Sequence, residues 1–127
     1  MNRSLVAAFL AALSIGAAAQ SVDYAEVDSA AKARALFEQG KLERVHLFPV
    51  EFGGADLAVN VVYLPGPAAD AKKKVDLAVR KRIEEGALKR YSASPEYKGD
   101  SFIPSRLKIR AWNPESGESM NEVVEVW

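Results

Sequence analysis

From Leu107 to Trp112 the chain alternates without a break. Leu107, Ile109 and Ala111 fall on one side of an extended backbone, and Lys108, Arg110 and Trp112 fall on the other. Strand side chains point to opposite faces with a period of two, so this segment predicts a strand with one buried face and one that is wet or bound to something. Parallel sheets are covered on both faces, whereas antiparallel sheets tolerate water on one. The segment therefore points to an antiparallel sheet, and the rest of the chain must supply its neighbouring strands and a layer for its apolar face.

Those parts can be read from the punctuation. A polar lead from Gln20 to Val27 precedes Asp28 or Ser29, either of which can cap the amides of a helix that Gly40 stops. The helix is rich in alanine, with Leu36 and Phe37 as its only large apolar side chains, so it should lie close on a sheet. Leu42 to Phe52 predicts a strand with His46, Phe48, Val50 and Phe52 on one face, and Pro49 marks it as an edge or a bulge. Gly53-Gly54 is read as the tight turn of a hairpin that leads into Ala55 to Leu64, a segment apolar enough to be buried. Pro65-Gly66-Pro67 ends that strand.

A second helix is expected from Asp70 to Gly86. Ala71, Val75, Ala78, Val79, Ile83 and Gly86 share one side of it, while Lys72, Lys73, Lys74, Arg80 and Lys81 form a solvated side. Ala87 to Ala93, Phe102 to Trp112 and Met120 to Trp127 supply three more strands, separated by the polar loop Ser94 to Ser101 and the connection Asn113 to Ser119. The order is α-β-β-α-β-β-β. The expectation is a single α+β domain over residues 20–127, in two layers, with a mostly antiparallel sheet of about five strands carrying both helices on one face.

The first nineteen residues belong to a different category. Arg3 precedes an apolar run from Leu5 to Leu13 that continues through Ile15, and Ala17, Ala18 and Ala19 provide the small residues of a cleavage site, which together describe a secretory signal peptide. The run from Leu5 to Ala19 is shorter than the roughly 17 to 25 residues that span a bilayer. Cleavage after Ala19 leaves a chain with 16 basic and 17 acidic side chains, which argues against a nucleic-acid partner. The chain has no cysteine, so disulfides, thiolate metal clusters and cysteine nucleophiles are excluded. A small exported domain without disulfides fits a bacterial periplasm better than a eukaryotic secretory route.

Catalytic signals are sparse. His46 is the single histidine and stands without a second His or Cys, so a metal site would have to recruit Glu43 or Glu51 at no diagnostic spacing. No G-x-S-x-G elbow is present, Glu84-Glu85 point to different helical sides, and Gly53-Gly54 lacks the context of a nucleotide-binding loop. No cofactor and no metal is expected. Charge is unevenly spread: residues 72–110 hold 12 basic and five acidic side chains, and residues 111–127 hold four acidic and none basic.

The binding candidates are Tyr97, Lys98 and Phe102 in a charged, aromatic loop, together with Lys108, Arg110 and Trp112 on the wet strand face. The sequence thus points to an exported, non-enzymatic binding protein of the cell envelope, of the inhibitor, immunity or accessory type. Its partner would be a periplasmic or envelope protein. A small hydrolase or transferase using His46, and a polyanion or lipid-surface binder using the basic helix, are the alternatives. The terminal strand offers an edge for a homodimer.

Overall fold

The computed structural model describes residues 21–127, and the expected signal peptide lies outside them. The elements are α1 (Ala30–Glu38), β1 (Glu43–His46), β2 (Val61–Leu64), α2 (Gly66–Glu84), β3 (Arg90–Glu96), β4 (Arg106–Trp112) and β5 (Ser119–Glu125). Among the described residues this is the expected α+β order, with two helices and five antiparallel strands. The strands are shared between two sheets, β1-β2 and β3-β4-β5, where the sequence suggested one.

Local chemistry sets most boundaries. Ser29 caps α1 by accepting a hydrogen bond from the Lys32 amide at 3.1 Å. Helix α2 begins one turn before Asp70, because Pro67 in the first turn has no amide to leave unsatisfied and its fixed φ suits a helix start. The chain leaves α2 through Gly86, whose φ of 78° lies in the left-handed region.

The first hairpin differs most from expectation. Glu43 pairs with Leu64 and His46 with Val61, and there the ladder stops. The residues between these strands form two short 3-10 turns, Val50–Phe52 and Ala58–Asn60, instead of longer strands joined at Gly53-Gly54. Asn60 explains the change. Its side-chain oxygen accepts from the Phe48 amide and its nitrogen donates to the Phe48 and Ala55 carbonyls, all at 2.8 Å. One amide side chain thus satisfies the backbone that strand pairing would have used. Gly54 matters for packing: a Cβ there would collide with the Phe48 carbonyl. The folded loop brings the Phe48 and Phe52 rings to 5.3 Å from the Tyr91 ring, so the loop is packed on the core.

Two apolar clusters hold the fold. The larger joins Val62 and Leu64 of β2, Ala68, Ala69 and Val79 of α2, and the inner face of the three-stranded sheet, where Leu107, Ile109 and Ala111 are buried as the alternation requires. The smaller gathers Val27, Ala33, Leu42 and Ile103, with Tyr63 and Trp127 packed against it. Helix α2 lies against β1 and β5, and α1 against β2. Burying an aliphatic side chain of this size contributes about 1.5 to 3 kcal/mol. No helix of the described residues is long and apolar enough to cross a membrane.

Candidate functional site

The outer face of the three-stranded sheet carries the residues that the alternation assigned to it. Register places Arg90 opposite Trp112, Ser92 opposite Arg110 and Glu96 opposite Arg106 on one side of β4. On the other side, Ser119, Asn121, Val123 and Glu125 face Trp112, Arg110, Lys108 and Arg106. Lys108 and Arg110 are exposed, and neither helix covers this face.

Its two ends differ in charge. At one end Arg106 lies 3.6 Å from Glu96 and 3.0 Å from Glu125, and Lys108 lies 3.1 Å from Glu96, so opposite charges neutralise one another. At the other end the Arg110 guanidinium sits 4.5 Å from the centre of the Trp112 ring. Among the described residues neither Arg110 nor Arg90 has an acidic partner. This end is cationic and aromatic, with Ser92, Ser119 and Asn121 beside it as neutral hydrogen-bonding groups. An arginine stacked on tryptophan keeps its in-plane N–H donors available to a carboxylate.

The loop residues chosen with this face lie elsewhere. Tyr97 and Phe102 are about half exposed, 48% and 49%. They line a depression of ≈ 480 Å³ with Ala30, Arg34, Val61 and Tyr63, between α1 and β2. Lys98 donates to the Trp127 carbonyl at 2.7 Å and lies over the Trp127 ring, so it clamps the last residue. The six candidates therefore form two surfaces and one exposed intramolecular clamp. Sequence proximity between 97–102 and 108–112 concealed this division, because the residues from Ile103 to Ser105 turn inward between them and are buried. Arg90 is the one member of the cationic end that the sequence did not single out, and only the β3–β4 register places it there.

The basic side of α2 needs a correction. Lys73, Lys74, Arg80 and Lys81 are exposed as expected, but Lys72 is only 1% exposed. Its ammonium donates to Asp76 Oδ2 at 2.6 Å and to the Tyr91 hydroxyl at 3.2 Å. That hydroxyl donates to Asp76 Oδ1 at 2.7 Å, with the Leu47 carbonyl 3.3 Å away. Burial, and then the Asp76 carboxylate, hold the Tyr91 phenol well above the usual tyrosine range. At about 100° per residue Lys72 lies between Val79 and Ile83, in the middle of the apolar arc. Residue type, not position, suggested a solvated lysine. Of the other basic residues, Arg80 pairs with Glu84, Arg82 with Glu118 and Lys89 with Glu115, which thins the cationic surface available to a polyanion.

His46 lines a cavity of ≈ 380 Å³ between β1, the following loop and α2, with Lys72, Lys73, Asp76 and Glu51 also in its wall. Its Nε2 is 2.8 Å from Asp56 Oδ1, and the same oxygen accepts from Arg44 at 2.9 Å. A histidine in a concave site beside a carboxylate is the geometry that acid–base chemistry requires. Among the described residues no serine, threonine or tyrosine lines the cavity, and no three His, Asp or Glu side chains gather as metal ligands.

The hydrogen bonds from His46 and then Arg44 hold the Asp56 carboxyl below the ordinary aspartate range. A folded-state value below the unfolded one makes the contact stabilising above the unfolded value of about 3.9, and that contribution is lost as pH falls through the lower folded value. A carbon-detected titration of the Asp56 carboxyl should therefore give a midpoint below 3.9, which Arg44→Gln moves upward. A midpoint unchanged by Arg44→Gln would show that the contact does not form in solution.

Comparison of the chain with protein-family models, with curated proteins and with solved structures finds no match. Function has to be sought in the geometry itself.

Proposed function

We propose that this chain is an exported binding protein of the bacterial cell envelope, and that it engages an acidic surface of a partner protein through the outer face of β3-β4-β5. The supporting observation is the cationic, aromatic end of that face, where Arg110 stacks on Trp112 beside Arg90 and neither arginine has an ion-pair partner among the described residues. Interface hot spots are enriched in tryptophan and arginine, and an arginine on an exposed sheet face, without an acidic partner among the described residues, is suited to donate to carboxylates. The neutralised end, with its Arg106 and Lys108 ion pairs, serves as rim.

The test is affinity capture from an envelope extract of the native organism. The mature chain is compared with Arg110→Ala/Trp112→Ala and with Tyr97→Ala/Phe102→Ala, each verified as folded by circular dichroism. One stoichiometric partner is expected, lost in the first variant, retained in the second, and bound more slowly as salt rises. Retention by the first variant overturns the proposal.

A second reading is favoured by His46, which lines the cavity and contacts the exposed Asp56 carboxylate beside it: an envelope hydrolase in which His46 deprotonates a water. It requires His46→Gln to abolish a hydrolytic activity that Trp112→Ala leaves intact.

The homodimer through β5 has a physical obstacle. The strand and its approach carry Glu115, Glu118, Glu122 and Glu125, and antiparallel self-pairing about Glu122 would set like charges opposite each other.

A further inference from the structure

The cationic end of the sheet face continues around Arg90 into a pocket of ≈ 510 Å³, bounded by Phe48, Phe52, Ile83 and Tyr91, with Arg90 and Trp112 also in its lining. Taking the sheet face as the interface described above, we propose that this pocket is its anchor site, receiving an apolar side chain that the partner protein carries next to a carboxylate. Phe48, Phe52, Ile83 and the Tyr91 ring supply its apolar surface. The Phe48 and Phe52 rings pack on the Tyr91 ring, and the Tyr91 hydroxyl is already committed to Lys72 and Asp76, so Tyr91 contributes its ring and not a polar group.

The polar groups around the pocket decide what accompanies the apolar group. Lys89 is held by Glu115 at 3.1 Å. Arg90 is exposed and, among the described residues, has no acidic partner, so its guanidinium fork is available to a carboxylate beside the anchor. Glu51, also in the lining, has the opposite sign and disfavours an acid on its own side, which orients the incoming segment. Trp112 lines the pocket and is also stacked under Arg110, so one side chain belongs to both the pocket and the open face. Anchors of this kind, an apolar group in a recess with charged groups around it, carry most of the affinity in protein interfaces.

The experiment titrates the mature protein with three blocked tripeptides, acetyl-Glu-Phe-Glu-amide, acetyl-Gln-Phe-Gln-amide and acetyl-Glu-Ala-Glu-amide, while the Ile83 methyl resonance is followed by NMR. The first peptide should shift that resonance saturably, and each of the others should bind at least about tenfold more weakly. Arg90→Gln, at an exposed position, should erase the advantage of the Glu peptide over the Gln peptide. Equal binding of all three peptides, or no shift at Ile83, overturns the anchor site. If the peptides leave Ile83 unchanged while Arg110→Ala/Trp112→Ala still loses its captured partner, the pocket proposal fails and the interface stands. If the peptides bind as expected while that variant keeps its partner, the interface reading is the one that fails.

Discussion

Asp76→Ala lowers the free energy of unfolding by about 3 to 5 kcal/mol, because it removes the counter-ion of a buried lysine. The Lys72 side chain is 2% exposed and that of Asp76 13%, so removing the carboxylate leaves an ammonium with only a phenol as acceptor and almost no access to water. The deficit is the cost of a buried, uncompensated charge. It is not a measure of what the ion pair contributes over an apolar pair of the same size. The double variant Lys72→Met/Asp76→Leu should therefore recover most of the loss, to within about 1 or 2 kcal/mol of the parent. Urea unfolding at neutral pH measures both. An Asp76→Ala chain within 1 kcal/mol of the parent would show that Lys72 reaches water in solution, and the cavity wall beside His46 would then have to be redrawn.

Asn60→Ala should cost about 2 to 3 kcal/mol and open the segment that carries Phe48 and Phe52. Three hydrogen bonds, all at 2.8 Å, vanish together, and the half-buried Phe48 amide, which one of them satisfies, is left without that partner. Asn60→Asp keeps the acceptor for that amide but loses both donors, so it should fall between alanine and the parent in urea unfolding. Hydrogen exchange locates the damage. The Phe48 amide should lose protection in Asn60→Ala while the Ile109 amide, in the central strand of the larger sheet, keeps it. Equal loss at both positions would mean that this loop does not open independently of the domain.

These two positions also mark where the sequence is legible and where it is not. A helix was readable over Ala30–Glu38 because capping and stopping are local: Ser29 can reach the Lys32 amide only if the next turn is helical. The face assignment of Leu107 to Trp112 was readable because a period of two permits no other distribution of side chains. Strand lengths in the first hairpin were not readable. Val45, Leu47 and Pro49 alternate with His46, Phe48 and Val50 well enough for a strand. Only the fold brings the Asn60 side chain to the Phe48 backbone, where it replaces ladder pairing.

The candidate site divides along the same line. Lys108, Arg110 and Trp112 were found by alternation, whereas Arg90 joined them through a register that depends on which strand is the neighbour. Tyr97 and Phe102 were chosen for composition, and the buried turn from Ile103 to Ser105 carries them to another surface.

By itself the sequence determined the α+β class, the order of elements and the uncovered face of β4, since each follows from spacing within a few residues. The tertiary structure alone decided that the strands form two sheets, which groups neutralise Lys72 on the apolar side of its helix, and that Arg90 and Trp112 share a pocket. The physical reason is the same in all three cases. Asp76 lies one turn from Lys72 and is visible in the sequence, but the Tyr91 hydroxyl that completes its burial comes from another element, and such long-range partners leave no periodic trace in the chain.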